Sequence, residues 1–207
     1  MYWSLILLRN RDAFWDAIRD RELRWRHVLG LVFFVVIACG LYGTILAGWR
    51  SPRLTAYVAI KLPLLFLGAA MVVAVFNWMT ASIAGAGLSF RATVAVVFAS
   101  MVIGCWILLG LAPVAWLFAV STQSIFFIVI LALMLWLVAV SFAARYVGKL
   151  RAHPLFERQG GIKLWFLILV IVTLQMTTCM RPMLSKPTTG WWTGQKQFFL
   201  SHFSSVL

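Results

Sequence analysis

Carboxylates are nearly missing from this chain: five of its 207 residues are Asp or Glu, and none falls between Glu22 and Glu157. The gap excludes paired carboxylates for acid–base work, an intramembrane Asp pair for proteolysis, and the carboxylate relay expected of a proton-driven transporter. Histidine is almost as sparse. His27, His153 and His202 are scattered and flank the apolar stretches rather than enter them, which argues against a metal site. No Gly-rich phosphate loop and no Gly-x-Ser-x-Gly elbow occurs, and Gly85-Ala86-Gly87 is only a flexible turn. Cys39, Cys105 and Cys179 sit one to an apolar stretch, without paired spacing. They suggest neither a disulfide framework nor zinc and are expected to pack as small apolar residues. The sequence therefore assigns no catalytic residue, no metal and no cofactor.

What fills the chain instead is apolar surface. Hydrophobic residues make up 63% and charged residues 11%, with a mean hydropathy of +0.97, whereas soluble domains carry about a quarter charged residues. That composition is one of an integral membrane protein, and no loop is long enough to bury a core of its own. The net charge of +13 belongs to cationic margins that fix topology and meet anionic lipid. Without an aromatic–basic RNA motif it does not point to nucleic acid. The segment from Met1 to Leu8 is too short an apolar run for a cleavable signal, and its positive charges follow rather than precede it.

Apolar run length predicts an all-α polytopic bundle with five transmembrane helices at 28–48, 54–76, 92–112, 124–147 and 164–180. It divides the chain into an interfacial segment 1–27, the membrane domain 28–180 and an aromatic tail 181–207. In the first segment, residues 14, 18 and 25 and residues 11, 15 and 22 follow helical spacings, so an amphipathic helix is expected. Trp15, Arg19, Arg24 and Trp25 would sit at the headgroups or dock a cytosolic partner. Gly40, Gly43 and Gly48 leave room for a close neighbour on the first span, and Gly40 with Thr44 is a small-xxx-small pair. Asn77 to Arg91 reads as a loop or weak helical extension. Pro113 ends or bends the third span, and the apolar stretch Val114 to Gln123 is expected to lie in the interface. Lys149 and Arg151 mark a basic loop with turn signals at Pro154 and Gly160-Gly161. Trp191 and Trp192 give the tail aromatic anchors, for the outer leaflet or for a partner.

Counting Lys and Arg beside the spans gives twelve on the amino-terminal side and five on the other. The bias places the amino terminus in the cytoplasm and the carboxyl-terminal tail outside. A re-entrant fifth span would also satisfy that rule, so its length carries the choice.

The group least suited to hydrocarbon is Lys61, the only cation well inside an apolar run and two residues ahead of Pro63. Such a residue is a functional-site hypothesis by default. Seven residues from the start of its span, it lies about 10 Å inward, and Gln175 lies about 7 to 8 Å inward from the matching end of the fifth span. Three arrangements are open to Lys61. It snorkels outward along its stem; it hydrogen-bonds to Gln175, Thr44 or the Ala59 carbonyl freed by Pro63; or it faces a cavity for an anionic ligand with Arg181 as second cation.

The block from Lys61-Leu62-Pro63-Leu64-Leu65 through Phe76-Asn77 to Leu88-Ser89-Phe90-Arg91 resembles bacterial membrane proteins that are distant relatives of the Yip1 family. The resemblance continues through Ala112-Pro113 to about Lys149. The order Gln175, Arg181-Pro182, Phe198-Phe199 is similar to the end of some of those proteins. The resemblance implies five spans, a cytosolic amino terminus and an exoplasmic carboxyl terminus. In eukaryotes the family implies membrane trafficking with small-GTPase partners through a long cytosolic amino-terminal region; this chain has a short charged segment there, so that role is not carried over. No catalytic residue comes with the resemblance. The expectation is a non-enzymatic scaffold or accessory subunit of a bacterial inner membrane, with its carboxyl terminus in the periplasm, that binds a protein partner, anionic lipid or its own copies. The alternative is a small lipid- or solute-translocating protein using a groove beside Lys61, Gln175 and Arg181.

Overall fold

The computed structural model describes residues 14, 16, 24–47, 52–83, 89–122, 124–148 and 167–173, and every regular element among them is helical. The helices are α1 (Trp25–Leu46), α2 (Pro52–Ile83), α3 (Phe90–Gly110), α4 (Ala112–Ser121) and α5 (Ile125–Gly148), with a further helical stretch at 167–173. Three helices, Trp25–Leu46, Thr55–Ile83 and Phe90–Gly110, are long and apolar enough to cross a membrane. The protein is a membrane protein. Its outside is apolar: on α1 the exposed residues Trp25, Leu29, Phe33, Ile37 and Leu41 recur every four positions, one stripe of the helix turned away from the core. Most of the amino-terminal segment and of the predicted fifth span, and all of the tail, lie outside the described residues.

Local chemistry explains the helix ends. α1 starts at Trp25 because the Arg24 carbonyl accepts from the His27 N–H at 2.9 Å, while the Arg24 N–H donates to His27 Nδ1 at 3.2 Å. Trp25 to His27 thus open the first span instead of closing an amphipathic segment. Ser89 caps α3, its hydroxyl accepting from the Ala92 N–H at 3.2 Å, as a first-turn oxygen does for an amide without a helical partner. Gly110 ends α3. Pro113 sits in the first turn of α4, where its missing N–H leaves no bond unmade, so the stretch after the third span is a separate helix.

α2 takes the helical of the two readings open for the stretch after its apolar span. It runs for 32 residues to Ile83, and Asn77 to Ile83 are helical, not loop. No Gly or Pro interrupts that stretch, and its hydroxyls turn back on their own helix. Thr80 Oγ1 donates to the Asn77 carbonyl at 3.0 Å and Ser82 Oγ to that of Trp78 at 2.9 Å. Polar residues satisfied in this way persist in an apolar helix.

α3, rather than the span bearing Lys61, is the centre of the bundle. Its apolar window is 78% buried, against 39% for α1 and 50% for α2. Ala92, Ala95, Ala99, Ser100 and Cys105 keep it narrow, which lets neighbours approach on several sides. One core cluster joins α1, α2 and α3 and takes in Phe14, which is fully buried. A second gathers Tyr42, Leu46, Leu62, Leu108, Ala115, Ile128 and Leu135 where α4 and the start of α5 close over the other end.

α1 and α2 pack antiparallel through glycine. A Cβ on Gly43 would stand 3.0 Å from the Val58 carbonyl oxygen and 3.3 Å from Ala59 Cα, whereas one on Gly40 would meet the Ala59 oxygen at an ordinary 3.6 Å. The Ala59 carbonyl that Pro63 leaves without its helical donor thus faces α1. On Gly104 a Cβ meets nothing within 4 Å. Gly43→Ala is therefore expected to destabilise the bundle by about 1–3 kcal/mol, since backbone cannot yield as a side chain does. Gly104→Ala is expected to be neutral or to stabilise by about 0.5–1 kcal/mol through helix propensity. Unfolding of the two variants in a detergent titration checks the contrast.

Candidate functional site

Lys61 occupies the third turn of α2, nine residues from Pro52. The tilt of helical side chains toward the amino terminus directs its stem back along the helix. Its ammonium nitrogen lies 5.9 Å from the ring centroid of Tyr57, one turn nearer the helix start. That is within cation–π range, an attraction of about 0.5–2 kcal/mol. The lysine is nevertheless only 5% exposed. The stem runs back along its own helix, and the amine stops over an aromatic face. Of the other partners considered, Thr44 donates its hydroxyl to the Leu41 carbonyl at 2.7 Å, and the Ala59 oxygen faces Gly40. Gln175 and Arg181 lie outside the described residues.

A small cavity of about 40 Å³ lies between α2, α3, α5 and the helical stretch at 167–173. Phe66, Met101, Leu108 and Trp136 form much of its wall, with Ser100 and Thr173 as its hydroxyl-bearing residues. The Ser100 hydroxyl is already donated to the Val97 carbonyl at 2.7 Å. Lys61 is not among the lining residues, so this opening is an apolar crevice and not an anion site.

The end of the bundle where α1 and α3 begin and α5 finishes carries Arg24, Arg26, Arg91 and Arg145. At the opposite end, Arg53 is the one cation among the described residues. Arg24, Arg26 and Arg145 are exposed, and the Arg145 guanidinium lies 5.9 Å from the Phe142 ring centroid. Arg26 Nε donates to His27 Nε2 at 3.3 Å, while His27 Nδ1 accepts from the Arg24 amide. A neutral imidazole accepts at one nitrogen only, so these two bonds alternate. Trp25 is half exposed beside them. Trp15, Arg19, Lys149, Arg151, Trp191 and Trp192 lie outside the described residues.

One feature escaped sequence reasoning. Cys39 of α1 and Cys105 of α3 are buried free thiols, and their sulfurs stand 3.6 Å apart. The signal that could have found them is depth: Cys39 is seven residues short of Leu46 and Cys105 five short of Gly110, both about 8–10 Å from the same end. Depth does not say which way a side chain points, and spacing along the chain says less. Nearby, Trp106 stacks at 5.2 Å and 31° on Phe34. Its indole nitrogen, the Tyr42 hydroxyl and the Asn77 side-chain oxygen are buried without a hydrogen-bond partner.

Comparison with protein-family models, curated proteins and solved structures gives no match to this chain.

The placement of Lys61 makes a stability prediction. Lys61→Met is expected to hold or raise thermal stability in detergent, because it keeps the stem and removes a charge from an apolar span. Lys61→Glu is expected to lose about 2–3 kcal/mol, the scale of an unsupported charge at that depth. Comparable losses in both variants would show instead that the bundle depends on a bond made by the amine.

Proposed function

We propose that this protein is a non-enzymatic scaffold or accessory subunit of a bacterial inner membrane, which engages a protein partner, anionic lipid or copies of itself through its cationic end. The observation that carries this reading is the posture of Lys61. Its amine lies over Tyr57 of its own helix, and the crevice between α2, α3 and α5 is apolar and does not include it. A translocation pathway needs a polar surface continuous with water, and the walls of that crevice are almost wholly apolar.

The same reading accounts for the charge. Arg24, Arg26, Arg91 and Arg145 at one end support a cytoplasmic orientation for that end by the positive-inside bias. There α1 and α3 also present their amino termini, which favour phosphate. α5, at 24 residues, is long enough for a fourth crossing at about 1.5 Å per residue, and the stretch at 167–173 falls within the proposed fifth. The resemblance to bacterial Yip1 relatives contributes the idea of a membrane organiser without catalysis. The runner-up, a small translocator using Lys61, Gln175 and Arg181, draws support from the burial of Lys61.

Two measurements separate the readings. In a background where the native cysteines are replaced by serine, Lys61→Cys is expected to resist a charged, membrane-impermeant thiol reagent, and reconstituted vesicles are expected to show no lipid or solute flux above protein-free controls. Rapid labelling together with flux would overturn the scaffold in favour of translocation. Anionic lipid should stabilise the purified protein more than zwitterionic lipid, and Arg24→Ala with Arg26→Ala should remove about 1 kcal/mol of that difference per arginine, read as the shift in melting temperature on lipid addition.

A further inference from the structure

We propose that Cys39 and Cys105 are an intramembrane redox dithiol, closed to a disulfide by a lipid-soluble quinone, that staples α1 to the central helix α3. The two sulfurs already touch at 3.6 Å, each within hydrogen-bonding reach of the other. Bond formation at about 2.05 Å asks for an approach of about 1.5 Å. There is room for that adjustment: Cys105 lines the crevice between α3 and α5, and its neighbour Gly104 has open space around it. The pairing crosses the bundle, joining residues 66 apart in sequence, so closure would tie the first span to the centre on which the others pack.

Burial selects the oxidant. Cys39 is 2% and Cys105 6% exposed, about 8–10 Å inside the helix ends, out of reach of a water-borne oxidoreductase. The crevice that Cys105 lines, between α2, α3, α5 and the stretch at 167–173, has almost wholly apolar walls, so the electron acceptor is one that dissolves in an apolar medium. The step balances with a quinone: two S–H bonds break, one S–S bond forms, and two electrons and two protons pass to the quinone, which leaves as hydroquinone. A dithiol reductant reverses it. None of this depends on what the cationic end binds.

The test uses the full-length protein in liposomes. A fully ring-substituted benzoquinone, which offers no free ring position for thiol addition, is added; the protein is then denatured and its thiols are counted by a maleimide–polyethylene glycol gel shift. Three adducts are expected before oxidation, matching the three cysteines of the chain, one after it, and three again after reduction. Peptide mapping of the wild-type protein is expected to find the link between Cys39 and Cys105, so the result does not rest on a variant that must fold. Cys39→Ser and Cys105→Ser should each show two adducts with or without quinone. Three adducts persisting in the oxidised wild type, a link involving Cys179, or equally fast closure by a charged oxidant confined to water would overturn the proposal.

Discussion

Helices that already lie in hydrocarbon gain nothing from hiding apolar surface in a protein interior, so their association rests on how closely two backbones can approach. In this bundle that constraint is met where Gly43 of α1 lies against Val58 and Ala59 of α2, a gap that a single methyl group would overfill. The narrow helix α3 applies the same device with alanine, serine and cysteine. Large side chains are then free to face outward, which is where Leu29, Phe33, Met71 and Phe142 are found. The apolar outside and the small-residue inside are two sides of one solvent argument.

Apolar run length located the helices well. The spans at 28–48, 92–112 and 124–147 begin and end within about three residues of α1, α3 and α5, the ordinary uncertainty of helix ends. The far end of α2 was left open between loop and helical extension because Asn77 looks like a boundary to any reading that follows hydropathy, while to the backbone it is one more helical residue. Which helix lies at the centre was not legible either. The three spans share a mean hydropathy of 2.4, yet their buried fractions run from 39% to 78%, so composition was silent on the very property that orders them. Lys61 was legible as an anomaly and its depth followed from counting. Its place over Tyr57 follows from the i, i−4 geometry, a contact that none of the three arrangements open to it had named.

The polar groups of the helices divide by how they are handled. Hydroxyls of Thr44, Thr80, Ser82, Ser100 and Ser141 return to carbonyls of their own helices and so ask nothing of a neighbour. Tyr42, Asn77 and Trp106 cannot fold back in that way and are left with an atom unmatched, an uncommon state in a packed interior. They sit at interfaces between helices, where a small relative movement changes what each atom can reach. The polar residues that could register such a movement are therefore the ones without a local solution.

Finally, the helices are unequal. The 32 residues of α2 extend about 48 Å, against a hydrocarbon layer of about 30 Å, while the 21 and 22 residues of α3 and α1 fit that layer nearly upright. A rod that long beside two matched ones must lean, bend or emerge into the headgroups, or else the bilayer beside it thickens. The length of a single helix thus couples this bundle to the thickness of the membrane around it.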